Sequence, residues 1–262
     1  MRVVSLNAWG GALWDELAAW LPTMNADVLC LQEVTRTSGL SGWTAFSDGE
    51  HTLPQRADLF DDVRGVLPRH YAQFAASDAG PVRDGAGRPW RQEFGLGTWT
   101  SPELTLLSSA TRFVHGSFAE HEEWPTGGRP RIAQAVRVGG DGRTVTVVQL
   151  HGLRDPAGKA DTPERTQQAK RLAAFVDDVR VAGDLVVVCG DLNLLPGSET
   201  FAVLRTIGLT DLVGTEDTRT EHYAKPVRHA SYLLVSDPGA VRELRIVGRP
   251  AVSDHCALVL DV

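Results

Sequence analysis

The sequence predicts a mixed α/β fold, and three observations carry that reading. Short β-rich runs recur from one end of the chain to the other, several of them alternate with helical periodicity, and no repeat, low-complexity stretch or linker divides the 262 residues. A single domain over residues 1–262 is the expectation, with enough chain to bury about three quarters of its unfolded surface.

In chain order, Val3 to Leu6 reads as a strand. Trp14, Leu17, Ala18 and Leu21 then share one helical face, and Pro22 fits the end of that helix. Val28 to Leu31 is the second strand, and Leu59 to Leu67 a helix. Strands follow at Glu93 to Thr100, Ile132 to Val138 and Thr144 to Leu150. Thr162-Pro163-Glu164 has the form of a helix start with proline in the first turn, and Leu172, Phe175, Val176 and Val179 supply its apolar stripe. Leu185 to Cys189 is a strand, and a helix after Gly197-Ser198 places Phe201, Leu204 and Ile207 on one face. Tyr232 to Val235, Leu244 to Val247 and Cys256 to Val262 complete the strands. Thr35 to Arg56, Ser77 to Arg91 and His115 to Arg131, rich in glycine, proline, tryptophan and charge, read as long loops, the last two as candidates for specificity.

Composition narrows the function classes. With 42% hydrophobic and 23% charged residues the chain is neither disordered, collagenous nor a coiled coil. Thirty-three acidic against 26 basic residues give a formal charge of −7, which is not the balance of a protein that grips long stretches of nucleic acid. Cys30, Cys189 and Cys256 sit inside apolar runs and read as small core side chains. No apolar run reaches the ~18 residues of a membrane span, and Met1 to Leu6 shows no targeting signal, so a cytoplasmic monomer is expected.

The chemistry is concentrated at strand ends. Asn7 follows Val3 to Leu6, Glu33 follows Val28 to Gln32, His151 follows Val145 to Leu150, Asp191 and Asn193 follow Val186 to Gly190, and Asp254-His255 immediately precedes the last strand. Singly, each has a plainer reading: Glu33 as a helix cap or ion-pair partner, Asp191 with Asn193 as an Asx turn, Ser253 to His255 as a capping turn. Together they point to one shared site, because burying so many carboxylates and amides separately is costly. Asn, Asp and Glu are hard oxygen donors suited to Mg²⁺ or Mn²⁺, and His adds a proton carrier or a donor to a developing oxyanion.

In these residues the chain resembles the endonuclease/exonuclease/phosphatase superfamily, whose fold is that of deoxyribonuclease I. Asn7 matches the Asn that closes the opening strand, Leu31-Gln32-Glu33 the Leu-Gln-Glu motif, and His151 the strand-end His. Gly190-Asp191-Leu192-Asn193 matches Gly-Asp-x-Asn, and Ser253-Asp254-His255 the closing Ser-Asp-His. The resemblance implies a four-layer α/β sandwich, two packed sheets flanked by helices, and hydrolysis of a phosphoester by an in-line water. It further implies Glu33 as principal Mg²⁺ ligand, with Asn7 beside it and Asp254 closing the metal side. Asp191 would orient or activate the water, and Asn193 would hold that water or a phosphate oxygen. His255 would act on the scissile phosphate, and His151 on the phosphorus centre or leaving oxygen.

One departure stands out. Where the family has Asp-Tyr, the Asp orienting the closing His, this chain reads Ser231-Tyr232, with His229 and Asp237 as nearby substitutes. Glu93 is the expected partner of His151, and Arg129, Arg131 and Arg165 are the expected phosphate contacts. A compact phosphoester is favoured over bulk duplex DNA, with a phosphodiesterase as the leading reading and a phosphomonoesterase, a bulk DNA nuclease and a non-catalytic binding protein as alternatives.

Overall fold

The computed structural model describes residues 1–49, 52–140, 142–155 and 157–262. The first elements are β1 (Arg2–Asn7), α1 (Trp14–Trp20), β2 (Val28–Arg36), β3 (Trp43–Ser47), β4 (Thr52–Arg56), α2 (Leu59–Val66), β5 (Tyr71–Asp84), β6 (Pro89–Thr100), β7 (Thr105–His115) and β8 (Ala119–Glu120). They are followed by β9 (Arg131–Gly140), β10 (Arg143–His151), α3 (Pro163–Val179), β11 (Leu185–Asp191), α4 (Glu199–Arg205), β12 (Thr210–Asp211), β13 (Ser231–Val235), β14 (Glu243–Val247) and β15 (Ala257–Asp261). Among the described residues the strands form two mixed sheets. One runs β14-β15-β1-β2-β6-β5-β3-β4 with β8 beside β5, the other β12-β13-β11-β10-β9-β7.

Period-two alternation assigns each strand's side chains to a layer. On β1 and β2, Val4, Leu6, Leu29 and Leu31 pack outward with Leu17, Trp20, Leu59 and Val63 of α1 and α2. Their neighbours Val3, Val28 and Cys30 turn inward to the second sheet, against Val145, Val147 and Cys189. Leu172, Phe175 and Val176 of α3 and Phe201 and Leu204 of α4 belong to that same second core. The order is thus helices, sheet, sheet, helices, the expected sandwich. A buried polar bridge crosses between the sheets. Gln32 Nε2 donates to Gln149 Oε1 at 2.9 Å, Gln149 Nε2 to Gln134 Oε1 at 3.1 Å and to Thr98 Oγ1 at 2.7 Å, and Thr98 Oγ1 to Gln134 Oε1 at 2.8 Å. Buried amides impose a register on the two sheets that aliphatic contacts alone would leave loose.

Every strand and helix expected from the sequence is present, within a few residues. Two of the three expected long loops are corrected. Ser77 to Arg91 lies largely within β5 and β6, one long hairpin that pairs from Tyr71 opposite Thr100 to Arg83 opposite Pro89. Thr35 to Arg56 holds the end of β2 and the β3–β4 hairpin, its residues 50 and 51 being outside the described set. β7 was also unforeseen. Its outer positions are mostly exposed and polar, so it shows no apolar alternation, and β5 is built from small residues with Gly80 and Pro81 inside it. His115 to Arg131 is a loop as expected, apart from the two residues of β8.

Candidate active site

Two parallel strand pairs deliver the strand-end residues to one edge. β1 runs parallel to β2 with Asn7 opposite Gln32, and β10 runs parallel to β11 with His151 opposite Asp191. Glu33 sits in a β-bulge between Gln32 and Val34 with φ +56°, an uncommon conformation for a residue with a side chain. The extra residue re-aims its carboxylate along the sheet edge. Asn193 also has positive φ, +54°. Two glycines let the ends of β10 and β11 close up. A Cβ on Gly190 would lie 2.0 Å from the Leu150 carbonyl oxygen, and one on Gly152 would lie 2.3 Å from that of Leu192.

At the centre Asn7 Nδ2 donates to Glu33 Oε1 and to Asp191 Oδ2, each at 3.0 Å, while its Oδ1 accepts from the Trp9 N–H at 2.9 Å. His151 Nε2 lies 3.7 Å from Glu33 Oε1 and 3.8 Å from Asp191 Oδ2. Asp191 Oδ1 accepts from the Asn193 N–H at 3.0 Å, and His255 Nε2 approaches Asp191 Oδ2 to 3.3 Å. His255 Nδ1 meets Ser231 Oγ at 2.9 Å. A hydroxyl therefore stands against this ring where the family has a carboxylate. The suggested substitutes are elsewhere: His229 Nδ1 pairs with the Glu216 carbonyl oxygen, and Asp237 accepts from the Gly239 N–H.

Burial and neighbouring charge set the protonation of these groups. Burial pushes Glu33 up, and Asp191 adds to this against the Asn7 hydrogen bond. Burial also opposes the charge of Asp191, but the positive side of His255, His151, Arg219 and Lys159 holds it well below the ordinary carboxylate range. His255 is lowered to about 3 by burial, and His151 well below its ordinary value by burial and then Arg131. Asp254 is pushed up to about 7 by burial, although Arg219 opposes this.

Glu33, His151 and Asp191 each offer a ligand atom within 4.8 Å of the others. Two carboxylates, Asp191 buried and Glu33 partly exposed, sharing one neutral amide donor leave an excess of negative charge that a hard divalent cation fits. Asp254 Oδ2 accepts from Arg219 Nη1 at 2.6 Å, and its Oδ1 lies 3.8 Å from His255 Nε2.

The expected outer residues divide. Glu93 does not reach His151. Its strand neighbour Phe94 faces that ring at 6.4 Å between centroids, so alternation turns Glu93 to the other side of the sheet, 3.8 Å from Arg36. Arg165 is likewise corrected from phosphate contact to structural strut. It is 1% exposed and donates to the carbonyl oxygens of Ala160, Leu153 and Gly158, tying down the loop after β10. Arg129 lies over Phe94 and Trp124 and donates to Asp78 Oδ2 and Oδ1 at 2.7 and 2.9 Å. Arg131 is 5% exposed, with its pKa lowered to about 10 by burial. Trp99 is core, and Trp124 packs over Gly80. Sequence reasoning missed Arg219, Lys159 and Asp78. Each lies in a stretch without periodicity or motif, so no local signal marks it.

The sequence model of the Endonuclease/Exonuclease/phosphatase family matches residues 4–255. Among curated proteins, none matches the sequence. Solved structures of similar fold include an endonuclease/exonuclease/phosphatase family protein from Leptotrichia buccalis, at 14% identity and TM-score 0.66 over 100% of this chain and 98% of that one. A mannosyl-6-phosphatase from Bacteroides thetaiotaomicron has 13% identity and TM-score 0.65 over 100% and 98%. D. rerio TDP2 complexed with single strand DNA product has 15% identity and TM-score 0.66 over 99% and 97%.

Proposed function

Because the chain belongs to the endonuclease/exonuclease/phosphatase family, we propose that it hydrolyses a compact phosphoester by in-line attack of water, assisted by Mg²⁺ or Mn²⁺ at Glu33. The observation that carries this reading is the meeting of Glu33, His151 and Asp191 around the Asn7 amide, with ligand atoms within 4.8 Å of one another. A bound cation would neutralise charge on the phosphate oxygens. Glu33 would hold it, with Asn7 and Asp191 adjoining and Asp254 engaged by Arg219.

Asp191, kept ionised, orients or activates the attacking water, and Asn193 on the same turn holds that water or a phosphate oxygen. His255 Nε2, close to Asp191, donates to a phosphate oxygen, while Ser231 steadies its other nitrogen. His151 stabilises the phosphorus centre or serves the leaving oxygen. Two donors fixed before the substrate arrives lower the cost of charge development. Arg131 adds positive charge near the substrate phosphate, whereas that of Arg129 is neutralised by Asp78.

A net charge of −7 supports a compact substrate over bulk duplex DNA. A diester is the leading reading. A monoester is the second, favoured by Arg131, whose guanidinium has no carboxylate within ion-pair distance among the described residues and stands near Arg129. One uncompensated guanidinium near the site suits the additional charge of a monoester phosphate.

The test is turnover of a chromogenic diester, a monoester, phospholipids and supercoiled plasmid with Mg²⁺ or Mn²⁺ at several salt concentrations. Compact substrates should react, and Glu33→Gln should lower turnover by about 100-fold or more. The cation should raise the melting temperature of the parent protein more than that of Glu33→Gln. Turnover indifferent to divalent cations would sink the reading, and fast plasmid cleavage that falls steeply with salt would replace it with a nuclease.

A further inference from the structure

Against His151 lies a small, partly open pocket with Ser77, Phe94, Arg131 and His151 among its walls. It offers about 10 Å³ to the centre of a water-sized sphere, roughly the space that one water requires. Two of its walls carry buried nitrogens without a hydrogen-bond partner among the described residues, His151 Nδ1 and Arg131 Nε. A third wall is Ser77, whose Oγ lies 2.8 Å from Asp78 Oδ1 and 2.9 Å from the Phe94 carbonyl oxygen; its single hydrogen goes to Asp78, and its lone pairs remain free to accept. Buried polar groups are rarely left unsatisfied, and two orphans on one cavity of this size point to a common partner.

We propose that one buried water fills this cavity and makes Arg131 the positioning residue for His151. A guanidinium can only donate, so Nε–H gives its hydrogen to the water oxygen. The water then turns its own hydrogens outward, one to His151 Nδ1 and one to Ser77 Oγ. The other side of the ring requires the same arrangement. Nε2 faces Glu33 Oε1 at 3.7 Å and Asp191 Oδ2 at 3.8 Å, and a lone pair there would be repelled by both carboxylates. His151 is therefore held as the tautomer with its hydrogen on Nε2. It presents a fixed N–H to the site, as the role at the leaving oxygen in the proposed hydrolase requires. Arg131, through water, takes the orienting position that Glu93 leaves empty.

The experiment reads the ring nitrogens of His151 by long-range ¹H–¹⁵N correlation in ¹⁵N-labelled, metal-free protein at neutral pH, with the resonances assigned by their loss in His151→Gln. Nδ1 should resonate as an unprotonated, pyridine-like nitrogen and Nε2 as a protonated, pyrrole-like one. A protonated Nδ1 in the parent protein, as the other tautomer or as imidazolium, overturns the proposal without recourse to any Arg131 variant. Arg131→Gln puts an amide nitrogen at the place of Nε along the side chain and should keep the single tautomer. Arg131→Met has no donor there, so the water is free to turn, and the Nδ1–H tautomer should rise from absent to a measurable minor fraction against the preference that the carboxylates keep. A Met variant as pure in tautomer as the parent would show that Arg131 does not position the ring. Because the measurement uses neither cation nor substrate, it stands or falls separately from the hydrolase reading.

Discussion

His255 rests one ring nitrogen on a hydroxyl, Ser231 Oγ at 2.9 Å, and aims the other at Asp191. A hydroxyl orients the ring but adds no charge, so burial is left to decide the protonation and holds His255 down at about 3. The ring is neutral across the neutral range and can donate through Nε2 without first releasing a proton. Ser231→Asp should change this. A carboxylate against Nδ1 favours the imidazolium, so the pKa rises and the limb of the pH–rate profile that reports His255 moves to higher pH. An unmoved profile with an unchanged rate would mean that Ser231 does not govern this ring.

Among elements, the close approach of β10 and β11 does most to build the site. Gly190 has φ +139°, and a Cβ there would meet the Leu150 carbonyl oxygen at 2.0 Å. That contact can be relieved only by moving the backbone of a neighbouring strand, which also carries His151. Gly190→Ala should therefore cost about 3 kcal/mol or more of stability, as backbone strain and a clash combined. Urea denaturation measures the loss, and a change below about 1 kcal/mol would contradict the packing described. The β-bulge at Glu33 follows the same logic on the other sheet. A single extra residue takes the carboxylate out of the strand's alternation and delivers it to Asn7.

Across the whole molecule, the loop from 116 to 130 is fastened to the β5–β6 hairpin by one buried carboxylate. Asp78 is 0% exposed and accepts from both Arg129 and Ser77, with His121 Nε2 at 3.1 Å. Burial opposes its charge, but Arg129 outweighs it and the pKa is lowered. A carboxylate lowered in the folded state stabilises the protein above its ordinary value of about 4. That stability is lost as pH falls through the folded value, where the proton is taken up by the folded chain as well. Acid titration of the urea midpoint should fall over that window in the parent and be flatter in Asp78→Asn. At pH 7 the substitution should cost about 3–5 kcal/mol, since it leaves Arg129 buried without its counter-charge. Parallel acid curves for the two proteins would remove Asp78 from this role.

Sequence by itself determined the alternation of layers and the residues at the end of each central strand. Apolar runs such as Val145 to Leu150 and Val186 to Cys189 fix period and burial locally, and a polar residue closing such a run has few places to go but the sheet edge. Strands β7 and β5 were not legible, because β7 is solvated and β5 is made largely of small residues, so neither carries an apolar alternation. Tertiary structure alone decided the partners. Glu93 and Phe94 are adjacent in sequence, yet the pleat sends only Phe94 to His151. Arg129, Arg131 and Arg165 are alike as residues, but only packing distinguishes one held by Asp78, one with no carboxylate in ion-pair distance among the described residues and one tied to loop carbonyls. A side chain's type is written in the sequence, whereas its partner depends on which distant strand lies opposite, and the folded sheets alone specify that.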